Sequence, residues 1–561
     1  MVHIRWQALI AVLGIIFLGT LLAYFAFGIS TVAQADYGGT YIEAVAGTPN
    51  IVNPLFNQFN PVDRDLSALI FNGLTRADER GVIKPDLARN WEISPDGLIY
   101  TFTLRSDITW SDGAPFSSAD VLYTLQTIQA SDYPGLTDIA SLWRTVAITA
   151  VNPLTVRMQL SEPFAPFLDY TTIGILPSHL LQDVSASDLP TAQFSRQPIG
   201  TGPFVLDELT TEEATLTPNP RYFGQRPYLG TLQFKFFSAG IEAALAAYER
   251  GEVEGVSQVT PELLTQARGL EKLDLQSAQL AGMSLVFFNN SKPQFQDKQV
   301  RQALLYAMDR QKMIDTLLQG QALPGAGPIL PNSWAYDDAL KKYPFDPQRA
   351  AELLDQAGWQ DQNKDGVREK GDQQLAFTLL TNTDDPTRAQ IAQQLADDWK
   401  KIGVKVEVEL VPAALLVPEN LRPRNFDAVL SAIADLPADP DPYNFWHSTQ
   451  TPDKADAGQN YSGWENADAD DLLQQARRTV DLAARADLYA QFQRLFMEDV
   501  PAAVLYYPVY TYGIDQRLRG VQLAPLLDPS DRFRNISQWF INTRRVILSE
   551  SQVRSAPTPA Q

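Results

Sequence analysis

An α/β protein is predicted by three features of the sequence. Helical periodicity from Pro386 to Gly403 runs directly into VKVEVEL, where Val404, Val406, Val408 and Leu410 alternate as a strand. The same two-residue alternation marks YTFTL, with Tyr100, Phe102 and Leu104 on one face, and VRMQL, with Val156, Met158 and Leu160. Asp346 and Pro347 then open PQRAAELLDQA, which Gly358 closes, so a cap, a first-turn proline and a terminating glycine bracket one helix. Asp297 is placed to cap a single helix over QVRQALLYAMDRQKMIDTLLQG ending at Gly320, and a further helix is expected from about Asp468 to Glu498.

At 561 residues the chain has room for about three domains or two large lobes. It shows no fixed-period repeat and no long low-complexity linker, which favours interwoven lobes over a string of modules. Residues 547–561, rich in Ser, Pro and Gln, read as a disordered tail. The net charge of −21 argues against nucleic acid, whose phosphates demand Lys and Arg. With no cysteine, the chain has no disulfide, thiolate metal site, thiol nucleophile or thiol-linked lipid. His3, His179 and His447 are too scattered in sequence to suggest an imidazole metal cluster.

Residues 1–36 read as a membrane anchor or a signal sequence. From Ala8 to Ile29 the chain carries no charge, and 22 residues of helix can cross a hydrocarbon core of about 30 Å. Arg5 lies before the run and Asp36 after it, which places the body outside the cytoplasm. Retention gives a single-pass membrane protein with one transmembrane helix. Cleavage after Ala35, in Ala33-Gln34-Ala35, gives a soluble periplasmic or extracellular one.

Motifs of serine hydrolases, zinc proteases, phosphate loops and dinucleotide folds are missing, so no enzymatic activity is expected. One segment matches the start of a calcium loop: Asp361, Asn363 and Asp365 supply oxygens, Gly366 permits the bend, Val367 offers a carbonyl and Asp372 stands at position twelve. It is read either as a structural Ca²⁺ site or as a surface turn rich in Asx residues. No other cofactor is expected. A second segment, Asp435-Leu-Pro-Ala-Asp439-Pro-Asp441-Pro-Tyr443-Asn-Phe-Trp446, follows the strand-like FDAVLSAIA. Its carboxylates either face a cleft and pair with a cationic ligand group or initiate turns in an ordered connection.

The stretch ARNWEISPDGLIYTFTLRSDITWSDGAPFSSADVLYTLQ, from Ala88, resembles the signature of the family 5 extracellular solute-binding proteins. These are the dipeptide- and oligopeptide-binding components of ABC importers. Further matching words follow in order: GTGPFV from Gly200, NPRYFGQRPYLGTLQFKFF from Asn219, FFNNSKPQFQDKQVRQALLYAMDR from Phe287, YPFDPQRAAELLDQAGW from Tyr343 and NYSGWENADADDLLQQAR from Asn460. The resemblance implies a large, cluster C type, bilobal periplasmic-binding-protein-like fold, with two lobes joined by two crossing segments near Gln276–Ser284 and Val500–Tyr507. Lobe I would comprise residues 37–275 and 501–546, and lobe II residues 276–500.

The resemblance also implies a peptide held through its main chain, with Asp435 pairing with the ligand amine and Asp439 as its competitor. Asp441, Tyr443 and Trp446 complete the expected ligand-binding set. Ala432-Ile433 replace a Gly-Trp pair common among relatives, and Leu380–Asp385 lacks the arginine by which dipeptide binders hold the ligand carboxylate. A longer peptide or another small solute is therefore expected. FTLRSDITWSDG and NPRYF read as fold-determining, so Trp110 and Tyr222 are assigned no ligand contact. The expected partners are a peptide or other solute, ABC transporter permease subunits and the membrane. The alternatives are a sensory module for a non-peptide solute (a sugar or a metal complex) and an extracellular hydrolase.

Overall fold

The computed structural model describes residues 2–456 and 458–547. The expected tail lies outside these residues except for Ile547, which ends the strand Thr543–Ile547 instead.

A twelve-stranded sheet organises the body. At one end Ala376–Asn382, the helix Pro386–Lys400 and the parallel strand Lys405–Val411 form the expected helix-to-strand unit. Asp385 caps that helix by accepting the Arg388 N–H, and Pro386 costs nothing at a position whose N–H would be unpaired anyway. The sheet continues through Ala428–Ala434 and Gly282–Phe288 to the long strand Ala502–Asp515. Beyond it lie Gly255–Val256, Thr40–Ala46, Thr231–Phe237, Glu213–Pro218 and Phe204–Leu209.

Ala502–Asp515 belongs to both halves. Its first residues pair with Gly282–Phe288, and Val509 to Asp515 pair with Leu273–Gln279. Two large cores meet along it. One gathers residues from Ala281 to Tyr507, including Phe287, Trp399, Trp446 and Phe496. The other gathers Tyr41 through Phe236 and then Tyr510 through Trp539. A separate antiparallel sheet orders Ala88–Ile93, Ile99–Leu104, Thr155–Gln159 and Ala147–Asn152, with Tyr100, Phe102, Val156 and Met158 buried on the alternating face.

Two helices expected to be continuous are broken. Lys298–Tyr306 and Arg310–Thr316 are separate because Asp309 turns out of the helix and accepts the Lys312 N–H as a new cap. Ala467–Arg478 and Leu482–Asp499 are divided in the same way by Asp481, which accepts from Ala484. In both cases a short side-chain acceptor competes with the main-chain ladder.

The N-terminal helix spans Val2–Ser30 and leads into Thr31–Ala35, which pairs antiparallel with Thr543–Ile547. Side chains in its apolar run are described from Ala8 to Tyr24, all exposed. Among the described residues no helix is long and apolar enough to cross a membrane.

Candidate functional site

The strand Ala428–Ala434 ends at Asp435, whose φ of 52° lies in the left-handed region. Pro437, Pro440 and Pro442 deny the following chain the N–H groups a strand needs, so it leaves the sheet as a loop. The Asp435 side chain is 71% exposed and faces a cavity of about 1050 Å³. Arg64 approaches from the helix Pro61–Ile70, with Nη1 3.4 Å from Asp435 and 2.6 Å from Asp528. Asp528 is fixed as the cap of the short helix Pro529–Phe533. One guanidinium therefore stands between two carboxylates, each brought by a different segment. Arg76, Asp86, Tyr222 and Arg534 also line this cavity. Burial pushes the Asp86 carboxyl up to about 6, although Asn72 donates a hydrogen bond to it at 3.0 Å.

The other members of the expected ligand set are engaged elsewhere. Asp439 accepts both Arg485 amino groups at 2.7 and 2.8 Å, and Arg485 also donates to Tyr489. Asp441 accepts from Arg477 Nε at 2.7 Å, and burial still pushes its carboxyl upward. Tyr443 lies under the Arg477 guanidinium at 3.8 Å and stacks on His447. Trp446 is buried against Phe287 and Phe496. Local charge distinguishes these carboxylates: Arg485 and Arg477 engage Asp439 and Asp441, while the Asp435 side chain keeps an open face. Asp439, Asp441 and Trp446 do border a second, mostly apolar cavity of about 210 Å³ behind the loop.

The loop is clamped from the opposite core. Asp169 accepts the Ala438 and Asp439 N–H groups; its enclosure, and then the charge of Asp439, push its carboxyl up to about 7. Asn332 donates to the Glu79 carbonyl at 3.0 Å and Trp334 N–H to the Arg80 carbonyl at 3.1 Å. Gly81, at φ 79°, packs so closely that a Cβ there would fall 2.3 Å from the Ala438 carbonyl oxygen. Sequence reasoning missed Arg64, Asp169 and Asp528, since 371 residues separate Arg64 from Asp435 and no local pattern marks them. Tyr222, read as a fold-determining residue, lines the large cavity.

In the calcium-like loop, carboxylate oxygens of Asp361, Asp365 and Glu369 lie within 4.8 Å of one another. Asp372 is outside this group because Glu369–Lys370 and Gln373–Gln374 pair as a hairpin that places it in the turn. Asn363 donates to Glu369 Oε1 at 2.6 Å, and the Val367 N–H is bound by Asp365. Glu369, at position nine, is the carboxylate the spacing did not single out.

The profile of the bacterial extracellular solute-binding proteins, family 5 (middle), matches residues 82–455. The chain belongs to this family. It is 30% identical over 519 residues to the oligopeptide-binding protein AppA of Bacillus subtilis, covering 91% of this chain and 92% of that protein. The solved structure of AppA with a nonapeptide superposes with a TM-score of 0.67 at 28% identity, over 91% of this chain and all of that one. NikZ of Campylobacter jejuni, solved with Ni(L-His), gives a TM-score of 0.68 at 29% identity, over 89% and 99% of the two chains. Family membership makes this an extracytoplasmic solute-binding protein of the α/β kind.

Proposed function

We propose that this protein captures peptides between two lobes and delivers them to an ABC importer. The observation that carries the reading is the Asp435 carboxylate, open to the large cavity while its two neighbours in the loop are neutralised within their own lobe. A ligand ammonium placed there gains a charged acceptor. The likeness to AppA favours an oligopeptide over other solutes. The cavity's size accords with an extended ligand, since it already exceeds the range of drug-sized sites.

The two cores serve as the lobes, 37–275 with 501–546 and 276–500, except that Ala502–Tyr507 pack into the second core, and the strand Ala502–Asp515 is the pivot. Ligand that touches both lobes favours closure by its differential contacts. The uncharged run Ala8–Ile29, inside the continuous helix Val2–Ser30, serves as the membrane anchor. No catalytic step is assigned.

Titration calorimetry with a nonapeptide and its N-acetylated form tests the reading. Asp435→Asn is expected to weaken the free-amine peptide by about 10- to 100-fold, the worth of a hydrogen bond to a charged group, and to spare the acetylated one. Equal losses for both forms overturn the amine assignment. Binding of a nickel–histidine complex with no binding of any peptide overturns the peptide reading.

A further inference from the structure

Four arginines and five aspartates line the large cavity, and most of them are already engaged. Arg64 pairs with Asp528 at 2.6 Å, Arg534 with Asp531 at 3.0 Å and Arg105 with Asp107 at 3.1 Å. Asp169 accepts N–H groups of the loop, and Asp86 accepts from Asn72 at 3.0 Å. Among the described residues, Arg76 alone of the four arginines has no ion-pair partner. Its strand sets its orientation. Thr75–Ala77 pairs antiparallel with Ile83–Pro85, and the buried Thr75 hydroxyl meets that of Thr171 at 2.7 Å. Alternation then turns Arg76 to the exposed face. Lys84 is directly opposite Arg76, and like charges so placed weaken a ribbon. Asp78 offsets Lys84 at 3.3 Å but forms no ion pair with Arg76.

We propose that Arg76 and the Tyr222 hydroxyl bind a carboxylate of the ligand, so that the cavity selects a dipolar solute with its ammonium toward Asp435. The inference rests on the reading of this cavity as the peptide site and adds a second charged contact to it. The charges of Arg76 and Arg105 both act on the Asp86 carboxyl and on the Tyr222 hydroxyl, so the four groups share one corner of the cavity. Tyr222 lies over Gly224, where a Cβ would fall 2.6 Å from its ring, and it packs on Phe223 at 5.0 Å. Burial pushes its hydroxyl up to about 12, so the proton is kept at neutral pH and can be donated. Arg105, already paired with Asp107, covers Phe223 at 4.9 Å and completes the aromatic wall. A guanidinium fork and a phenol O–H are donors matched to a carboxylate, and they act more strongly away from bulk water. A like-charge pairing kept in a cavity wall is the kind of local conflict that a functional position retains. The carboxylate belongs to the peptide C-terminus or to an acidic side chain, which present the same two oxygens.

Titration calorimetry separates the two sources with three probes: a nonapeptide of uncharged side chains, its C-terminal amide, and amides carrying one Glu at each position in turn. Arg76→Gln is expected to weaken the ligands that own the contacting carboxylate by about 10- to 100-fold and to leave the amide without Glu unchanged. A loss seen with the free C-terminus assigns the terminal carboxylate, and a loss confined to one Glu position assigns a side chain. Tyr222→Phe should cost the same ligands about 2- to 10-fold, the worth of a neutral hydrogen bond. The thermal midpoint of Arg76→Gln should match that of the wild type. If Arg76→Gln binds every probe as the wild type does, or loses the amide without Glu equally, the carboxylate site is overturned and peptide capture stands. A wild type that binds no peptide in any form overturns capture, and this site with it.

Discussion

Two arginines in this protein each stand between two carboxylates, and they do opposite things. Arg532 is 1% exposed and donates to Glu43 at 2.7 and 3.0 Å and to Asp65 at 2.6 Å through each of two nitrogens. Tyr512 closes the cluster by donating to Glu43 at 2.5 Å. Burial pushes the Asp65 carboxyl up to about 6 even with Arg532 in contact. Arg64 stands between Asp435 and Asp528, but Asp435 is 3.4 Å away and faces a cavity. The first cluster is saturated and sealed, so it ties the returning C-terminal segment to the first strand of the body. In the second, one carboxylate is loosely held and can exchange its partner. Exposure and completeness of hydrogen bonding, more than residue type, separate a sealed cluster from one open to a cavity.

Breaking the sealed cluster should have the largest effect. Arg532→Ala leaves two buried acids uncompensated and is expected to destabilise the fold by about 3–5 kcal/mol in denaturant unfolding. A loss below about 1 kcal/mol, the level of an exposed pair, would erase the contrast with Arg64.

The Asp169 clamp should respond to pH. Its carboxyl is raised to about 7 where it meets the Asp435–Trp446 loop, so closing the two halves takes up a proton. The contribution to the closed form is present at low pH and fades as pH rises from the ordinary carboxylate range through about 7. Small-angle scattering of the unliganded protein should record more open form at pH 8 than at pH 5.5. Asp169→Asn should flatten that difference.

A smaller change is expected at the loosely held pair. Arg64→Gln removes the competitor for Asp435 and should tighten free-amine peptides by less than about fivefold, because exposed ion pairs are worth up to about 1 kcal/mol. Weaker binding would mean that Arg64 itself contacts ligand. The smallest effect belongs to the loop at residues 361–372. Calcium titration is expected to give weak heats with a dissociation constant of about 10⁻⁴–10⁻³ M, lost in Glu369→Gln and kept in Asp372→Asn.

Much of the framework was legible along the chain. The alternation in Ile99–Leu104 and Lys405–Val411, and the caps at Asp297 and Asp346, are local signals, and each appears where the pattern places it. The helix breaks at Asp309 and Asp481 were hidden because aspartate is tolerated inside a helix and favoured as a cap, and periodicity alone does not decide between them. In the site, the Asp435–Trp446 loop could be found by composition and resemblance, but its three aspartates were indistinguishable until their partners were known.

What the sequence determined by itself was the α/β class, the family, the acidic body without cysteine and the Asp435–Trp446 loop that lines the candidate site. These follow from short-range periodicity, from turn chemistry and from composition. The tertiary structure decided which carboxylate stays open. Arg477, Arg485 and Arg64 reach the loop from helices that fold over it from different parts of the chain. Charge and solvation act through space, so a carboxylate's role is set by neighbours that the linear order does not reveal.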